Sequence, residues 1–111
     1  MSELKFPKGK KKKRRLSHPA SILGSRKGRC YLCGEYGQTE EHHIFGGPNR
    51  PLSERYGLKV DLCLKCHRFG NHAVHKDQAV MNELHKQGQE AFENQLGSRQ
   101  QFMQIFGRNY L

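Results

Sequence analysis

Cys30-Tyr31-Leu32-Cys33 and Cys63-Leu64-Lys65-Cys66-His67 are the stretches whose reading decides the fold of this 111-residue chain. Each pair of thiols is spaced so that both sulfurs turn inward from a knuckle and cover one side of a tetrahedral Zn²⁺. Four thiolates close such an ion's coordination sphere, so the cysteines read as a structural staple with no open position for chemistry. Twenty-nine residues separate the pairs, and the staple therefore ties together the ends of a substantial loop. A chain this short, with 34% apolar residues and no Trp, needs such help to hold a core. Two disulfides are the alternative use of the same residues. A dithiol redox role is disfavoured, because no strand-helix-strand pattern surrounds either pair.

Working inward from the knuckles, Thr39 to Phe45 reads as a strand ended by Gly46-Gly47-Pro48. Leu58 to Leu64 reads as a second strand, with Leu58, Val60, Leu62 and Leu64 alternating, and a Gly/Pro/Asn/Ser loop is expected between the two. Outward, past the break at Gly70-Asn71, Val80, Leu84, Ala91 and Phe92 recur at helical spacing. Gly97-Ser98 ends that helix, and Ser98 is placed to cap another, with Phe102, Ile105 and Phe106 on one face. The fold class is α+β: a Cys/His-rich core over 30–77 and C-terminal helices over 78–111.

Charge divides the chain differently. Residues 1–29 hold eleven Lys/Arg against Glu3 alone, whereas residues 30–111 hold nine basic and nine acidic residues, so the whole excess of +10 lies in the first segment. Seven basic residues fall within positions 8–15, among them Lys10, Lys11, Lys12, Lys13, Arg14 and Arg15. Residues 1–29 are expected to be a disordered polycation that binds nucleic acid through its phosphates, with affinity that depends on salt and carries no sequence information. A solvated or targeting segment is the plainer reading of such a run.

The histidines carry the chemistry. Glu41-His42-His43-Ile44 lies on the first strand, His67 follows the last cysteine, and His75 comes eight residues later. Neutral imidazole is both a metal ligand and a base near physiological pH. Phosphodiester hydrolysis needs a base for water and a metal for the charge on phosphate and leaving oxygen. Neighbours on a regular strand point to opposite faces, and a twist or bulge at Gly46-Gly47 is the expected way to bring His42 and His43 to one site. Without one, Glu41 shares a face with His43 and becomes the rival for a role in the site.

The order Cys30-x-x-Cys33, Glu41-His42-His43-Ile44, Leu62-Cys63-x-x-Cys66-His67 resembles the HNH, or ββα-metal (His-Me finger), endonucleases. The segments Arg29 to Gly34 and Ile105 to Tyr110 are similar to small HNH proteins of phages and prophages. The resemblance implies two strands and a helix clamped by the zinc knuckles, with His43 as general base and His42 and His67 as ligands of one catalytic ion. It departs from the family in two places. Gly57-Leu58 stands where the motif's Asn commonly lies, leaving Asn49 to brace the loop. Asn71 stands where the last His is usual, leaving His72 or His75; His75 is favoured because a turn at Gly70-Asn71 would place it in the first turn of the helix. His72, His85 and His18 read as solvent-facing.

The function implied is metal-dependent hydrolysis of DNA, duplex or branched. The catalytic ion would be Mn²⁺, Ni²⁺, Zn²⁺ or Mg²⁺, and the structural ion Zn²⁺. The alternative is an inactive zinc-containing module that binds DNA or RNA, an accessory of packaging or recombination. No stretch has the ~18 apolar residues of a membrane span, and no signal peptide is legible, so the expected place is the cytoplasm of a bacterial host. Homodimerisation through the segment from Ser98 stays open.

Overall fold

Residues 18–111 are described by the computed structural model, so Lys10 to Arg15 lie outside the described residues. Strand β1 (Thr39–His43) pairs antiparallel with β2 (Lys59–Cys63), in the register Thr39 with Cys63, His42 with Val60 and His43 with Lys59. One further bond, from Ile44 N to Leu58 O at 3.0 Å, closes the ladder. Both strands are shorter than the alternation suggests: Phe45 and Leu64 have left the ladder, and Leu64 leads into a wide helical turn over Lys65–Phe69. Pairing Thr39 with Cys63 sets the start of β1 beside the second knuckle.

The connection between the strands is not the irregular loop expected from its Gly, Pro, Asn and Ser. It holds a short turn, Gly47–Asn49, and helix α1 (Arg50–Tyr56). Pro51 is tolerated because the first helical turn has no intrahelical use for its missing N–H. Gly57 ends α1 in the left-handed region at φ 70°, where a Cβ would stand 2.5 Å from the Ala20 carbonyl oxygen. Leu52 and Tyr56, four apart, pack against the core. Ser53, fully buried, accepts from Phe45 N at 3.0 Å and donates to Phe45 O at 2.8 Å, which locks α1 to the end of β1.

Helix α2 (Gln78–Gln95) begins after Asp77, whose side chain accepts from Ala79 N, and α3 (Arg99–Phe106) begins with a reciprocal capping box between Ser98 and Gln101. The α2 start corrects one expectation: His75 lies three residues before the first helical residue, in the turn that follows the knuckle. Val74 N bonds Cys66 O at 2.8 Å and Asp77 N bonds Ala73 O at 2.9 Å, so this segment spends its backbone on the knuckle and on itself.

Ile44, Phe45, Leu58, Val60, Leu62, Leu84, Phe92, Phe102 and Phe106 form the buried core. Phe45 is its hub, with ring centroids 5.3 Å from Phe102, 4.9 Å from Phe106 and 5.0 Å from Tyr110. Burial of a side chain of this size stabilises by about 1.5–3 kcal/mol, and the rings hold α2 and α3 over the end of β1. The chain before the first knuckle is also part of the packing. Ile22 and Leu23 lie against the core, Ile22 N bonds Gly57 O at 2.9 Å, and Gly28 N bonds Thr39 Oγ1 at 3.0 Å. Residues 18–29, grouped by charge with the basic tail, are thus held on the α+β body by their apolar side chains and backbone. No helix among the described residues is long and apolar enough to cross a membrane.

Candidate metal centre

The strand register brings the two knuckles together. One sulfur from each of Cys30, Cys33, Cys63 and Cys66 lies within 4.8 Å of all the others, and Cys33 Sγ and Cys63 Sγ are 3.8 Å apart. That is about the edge of a tetrahedron built on Zn–S bonds of ~2.3 Å. All four cysteines are free thiols, with Cys30 buried and Cys33 exposed. Burial pushes Cys30 up, but hydrogen bonds from the backbones of Cys33, Cys63 and Leu32 outweigh it and bring the thiol down to about 6. Burial, reinforced by its neighbouring thiols, pushes Cys66 up. A cluster of four sulfurs within 4.8 Å of one another that already stabilises one thiolate is compatible with a structural zinc site.

A second cluster joins three elements. His42, on β1, is 5% exposed; His67 comes from the wide turn after β2, and His75 from the turn before α2. One ring nitrogen from each lies within 4.8 Å of the other two. His67 Nε2 and His75 Nε2 stand 3.0 Å apart, a separation that two ligands of one ion can share at metal–nitrogen bonds of ~2.1 Å. The rings of His42 and His67 are 5.3 Å apart, and those of His42 and His75 5.2 Å. Burial, then the neighbouring imidazoles, holds His42 down to about 3, so it is neutral at physiological pH, the form that binds metals. Burial and His67 also lower His75.

His42 Nε2 decides how this cluster reads. It is buried and has no hydrogen-bond partner, alone among the buried side-chain nitrogens and oxygens of the described residues. Leaving such a group unpaired costs on the order of 1–3 kcal/mol, a penalty that a divalent cation shared with His67 and His75 would remove. The donor set fits one metal ion.

His43 belongs to another group, because pairing from Thr39 to His43 is regular and side chains alternate. Its Nε2 meets Glu54 Oε1 at 2.8 Å and lies 4.0 Å from Glu41 Oε1. No bulge interrupts the ladder from Thr39 to His43, so the expected twist or bulge does not bring His43 to the His42 face, and Glu41 shares the His43 face instead. Lys59, opposite His43 in the ladder, donates to Glu54 at 2.8 Å and lies 3.4 Å from Glu41. His18 Nδ1 adds a contact to Glu54 at 2.8 Å. Hydrogen bonds from Lys59, His43 and His18, in that order, overcome partial burial and hold Glu54 down to about 2, so it is a carboxylate at any ordinary pH.

A cleft of about 450 Å³ reaches both groups: Glu41, His42, His43, His67 and His75 line it, together with Arg50, Arg68 and His85. Three of these lining residues were not singled out from sequence as part of a site. His85, read as solvent-facing, stacks on Phe45 at 5.3 Å and packs 4.7 Å from Tyr110, while Arg50 and Arg68 bring cations to the cleft. Glu54 went unnoticed because α1 was not foreseen; its pairing with His43 is a tertiary contact that no local spacing signals. His72 lies outside the cleft, exposed and bonded to Asp77 at 2.8 Å. Asn49 points away as well and donates to Phe106 O at 3.1 Å, tying the inter-strand segment to the end of α3.

No family model, curated protein or solved structure matches the chain.

Proposed function

We propose that the chain is a metal-dependent DNA endonuclease of the HNH type, with a zinc on the four cysteines and a catalytic divalent ion on His42, His67 and His75. The observation that carries this reading is the buried, unpartnered Nε2 of His42, grouped with two further imidazoles at the wall of an open cleft. In this reading β1, β2 and α2 are the two strands and helix of a ββα-metal fold, with α1 inserted between the strands.

When bound, the ion would supply Lewis-acid stabilisation of charge on the phosphate and the leaving oxygen. His43 takes the proton from water. The Glu54 carboxylate on Nε2 favours the tautomer with its proton there, which leaves the lone pair on Nδ1 as the base. Lys59 fixes Glu54 from the other side, so the His43 ring is oriented before substrate arrives. Arg50 supplies positive charge for a phosphate in the cleft. The basic run over positions 8–15 lies outside the described residues, and its phosphate contacts would add affinity for DNA without selecting sequence.

Incubation of the zinc-loaded chain with supercoiled plasmid and Mn²⁺ tests the reading. Cleavage that is lost in His43→Ala, with DNA binding retained, is the expected result. Binding without cleavage under any divalent ion would leave only a zinc-containing nucleic-acid-binding module.

A further inference from the structure

The register of β1 places Glu40 two residues before His42, on the same face of the strand. Its Oε1 lies 2.8 Å from His67 Nδ1, the ring nitrogen opposite the one that faces His75. Arg68, the next residue in the turn, donates its Nε to the same oxygen at 2.9 Å. The carboxylate is thus held from two sides and points at one side of His67 while the other side points into the histidine cluster. His67 needs such a partner, because it sits on a wide turn of five residues and not on a strand or long helix.

We infer that Glu40 is a positioning residue for the metal centre: it accepts the Nδ1 proton of His67, fixes that tautomer, and presents an electron-rich Nε2 to a borderline divalent cation of the Mn²⁺, Ni²⁺ or Zn²⁺ kind. The inference rests on the metal centre proposed above. A carboxylate behind a ligating imidazole sets ring orientation and raises ligand basicity, and its loss typically weakens metal binding 10–100-fold. Glu40 does not face the base: His43 and Glu54 lie on the alternate face of β1. Its effect is therefore on ion affinity and not on the proton acceptor.

Calorimetric titration of Ni²⁺ into the zinc-loaded chain tests this without recourse to activity. Glu40→Gln, which keeps an acceptor but loses the charge, is expected to weaken the second ion about 10-fold. Glu40→Ala, which loses both, is expected to weaken it by up to ~100-fold. Zinc content stays at one per chain in both variants. Nitrogen NMR of His67 is expected to show the proton on Nδ1 in the parent chain and a mixture of tautomers in Glu40→Ala, a change that a merely structural ion pair would not produce. Unchanged Ni²⁺ affinity in Glu40→Gln, beside a parent chain that binds the ion, overturns the role of Glu40 and leaves the metal centre standing. A zinc-loaded parent chain that takes up no second ion overturns both.

Discussion

Replacing Ser53 with Ala removes one oxygen from the interior and is expected to cost more stability than most single-atom deletions. The Ser53 hydroxyl is fully buried, and it satisfies both the N–H and the C=O of Phe45, at 3.0 and 2.8 Å. Phe45 is itself 2% exposed, so water does not readily replace either bond. Stranding a buried polar group costs about 1–3 kcal/mol, and two on one residue, partly relieved by relaxation, give ~2–4 kcal/mol. Against the 5–15 kcal/mol typical of a small domain, that is a large share. The effect has a functional side, because Phe45 closes the sequence His43-Ile44-Phe45 and stacks on His85 in the cleft wall. Urea denaturation of the zinc-loaded protein, parent against Ser53→Ala, measures it through the midpoint at constant m-value. A loss below ~0.5 kcal/mol would refute the claim that this hydroxyl braces the inter-strand segment.

Three further outcomes are expected. His42 is held down to about 3 when folded against the ordinary imidazole value of 6.5, so the folded state binds fewer protons and stability falls as pH drops below 6.5. Between pH 7 and 5 the loss without added divalent ion is ~2 kcal/mol, and His42→Leu should show a pH dependence shallower by that amount; equal slopes would count against a buried neutral imidazole. Cys63→Ser should abolish the ~1:1 zinc content and with it cooperative thermal unfolding, and a variant that keeps a sharp transition without zinc would show that the staple is dispensable. Removing residues 1–15 should weaken DNA binding and flatten the dependence of log affinity on log salt by several units, while an unchanged slope would assign the phosphate contacts to the folded body.

Much of this was legible in the sequence where a local rule applies. The Cys-x-x-Cys pairs fix their own sulfurs, period-two alternation marks the strands, and Ser98 after Gly97 marks a helix start. His42 and His67 come from the resemblance to the HNH motif, and His75 from an expected place in the first turn of a helix that starts three residues later. What could not be read is what depends on tertiary contact. The Gly/Pro-rich connection hides α1 because Leu52 and Tyr56 are the sole apolar pair on two turns, and the helix is held by Ser53 and the core instead of by propensity. Glu54 could not be placed beside His43 without that helix. His85 looked like one more polar residue of α2 until Phe45 and Tyr110 were seen against it. The start of α2 was misjudged for a similar reason: Gly70-Asn71 signals a turn, but the backbone runs on through Asp77 while it bonds back to the knuckle.

The most direct test of the histidine cluster as a catalytic centre is cleavage measured against its occupancy. Mn²⁺ is titrated into the zinc-loaded chain while bound ion and nicking of supercoiled plasmid are followed together. Cleavage should rise in step with one additional ion per chain, and both should disappear in His42→Ala while the zinc on the cysteines remains. A filled histidine site that leaves the plasmid intact, or cleavage that persists in His42→Ala, would contradict the account.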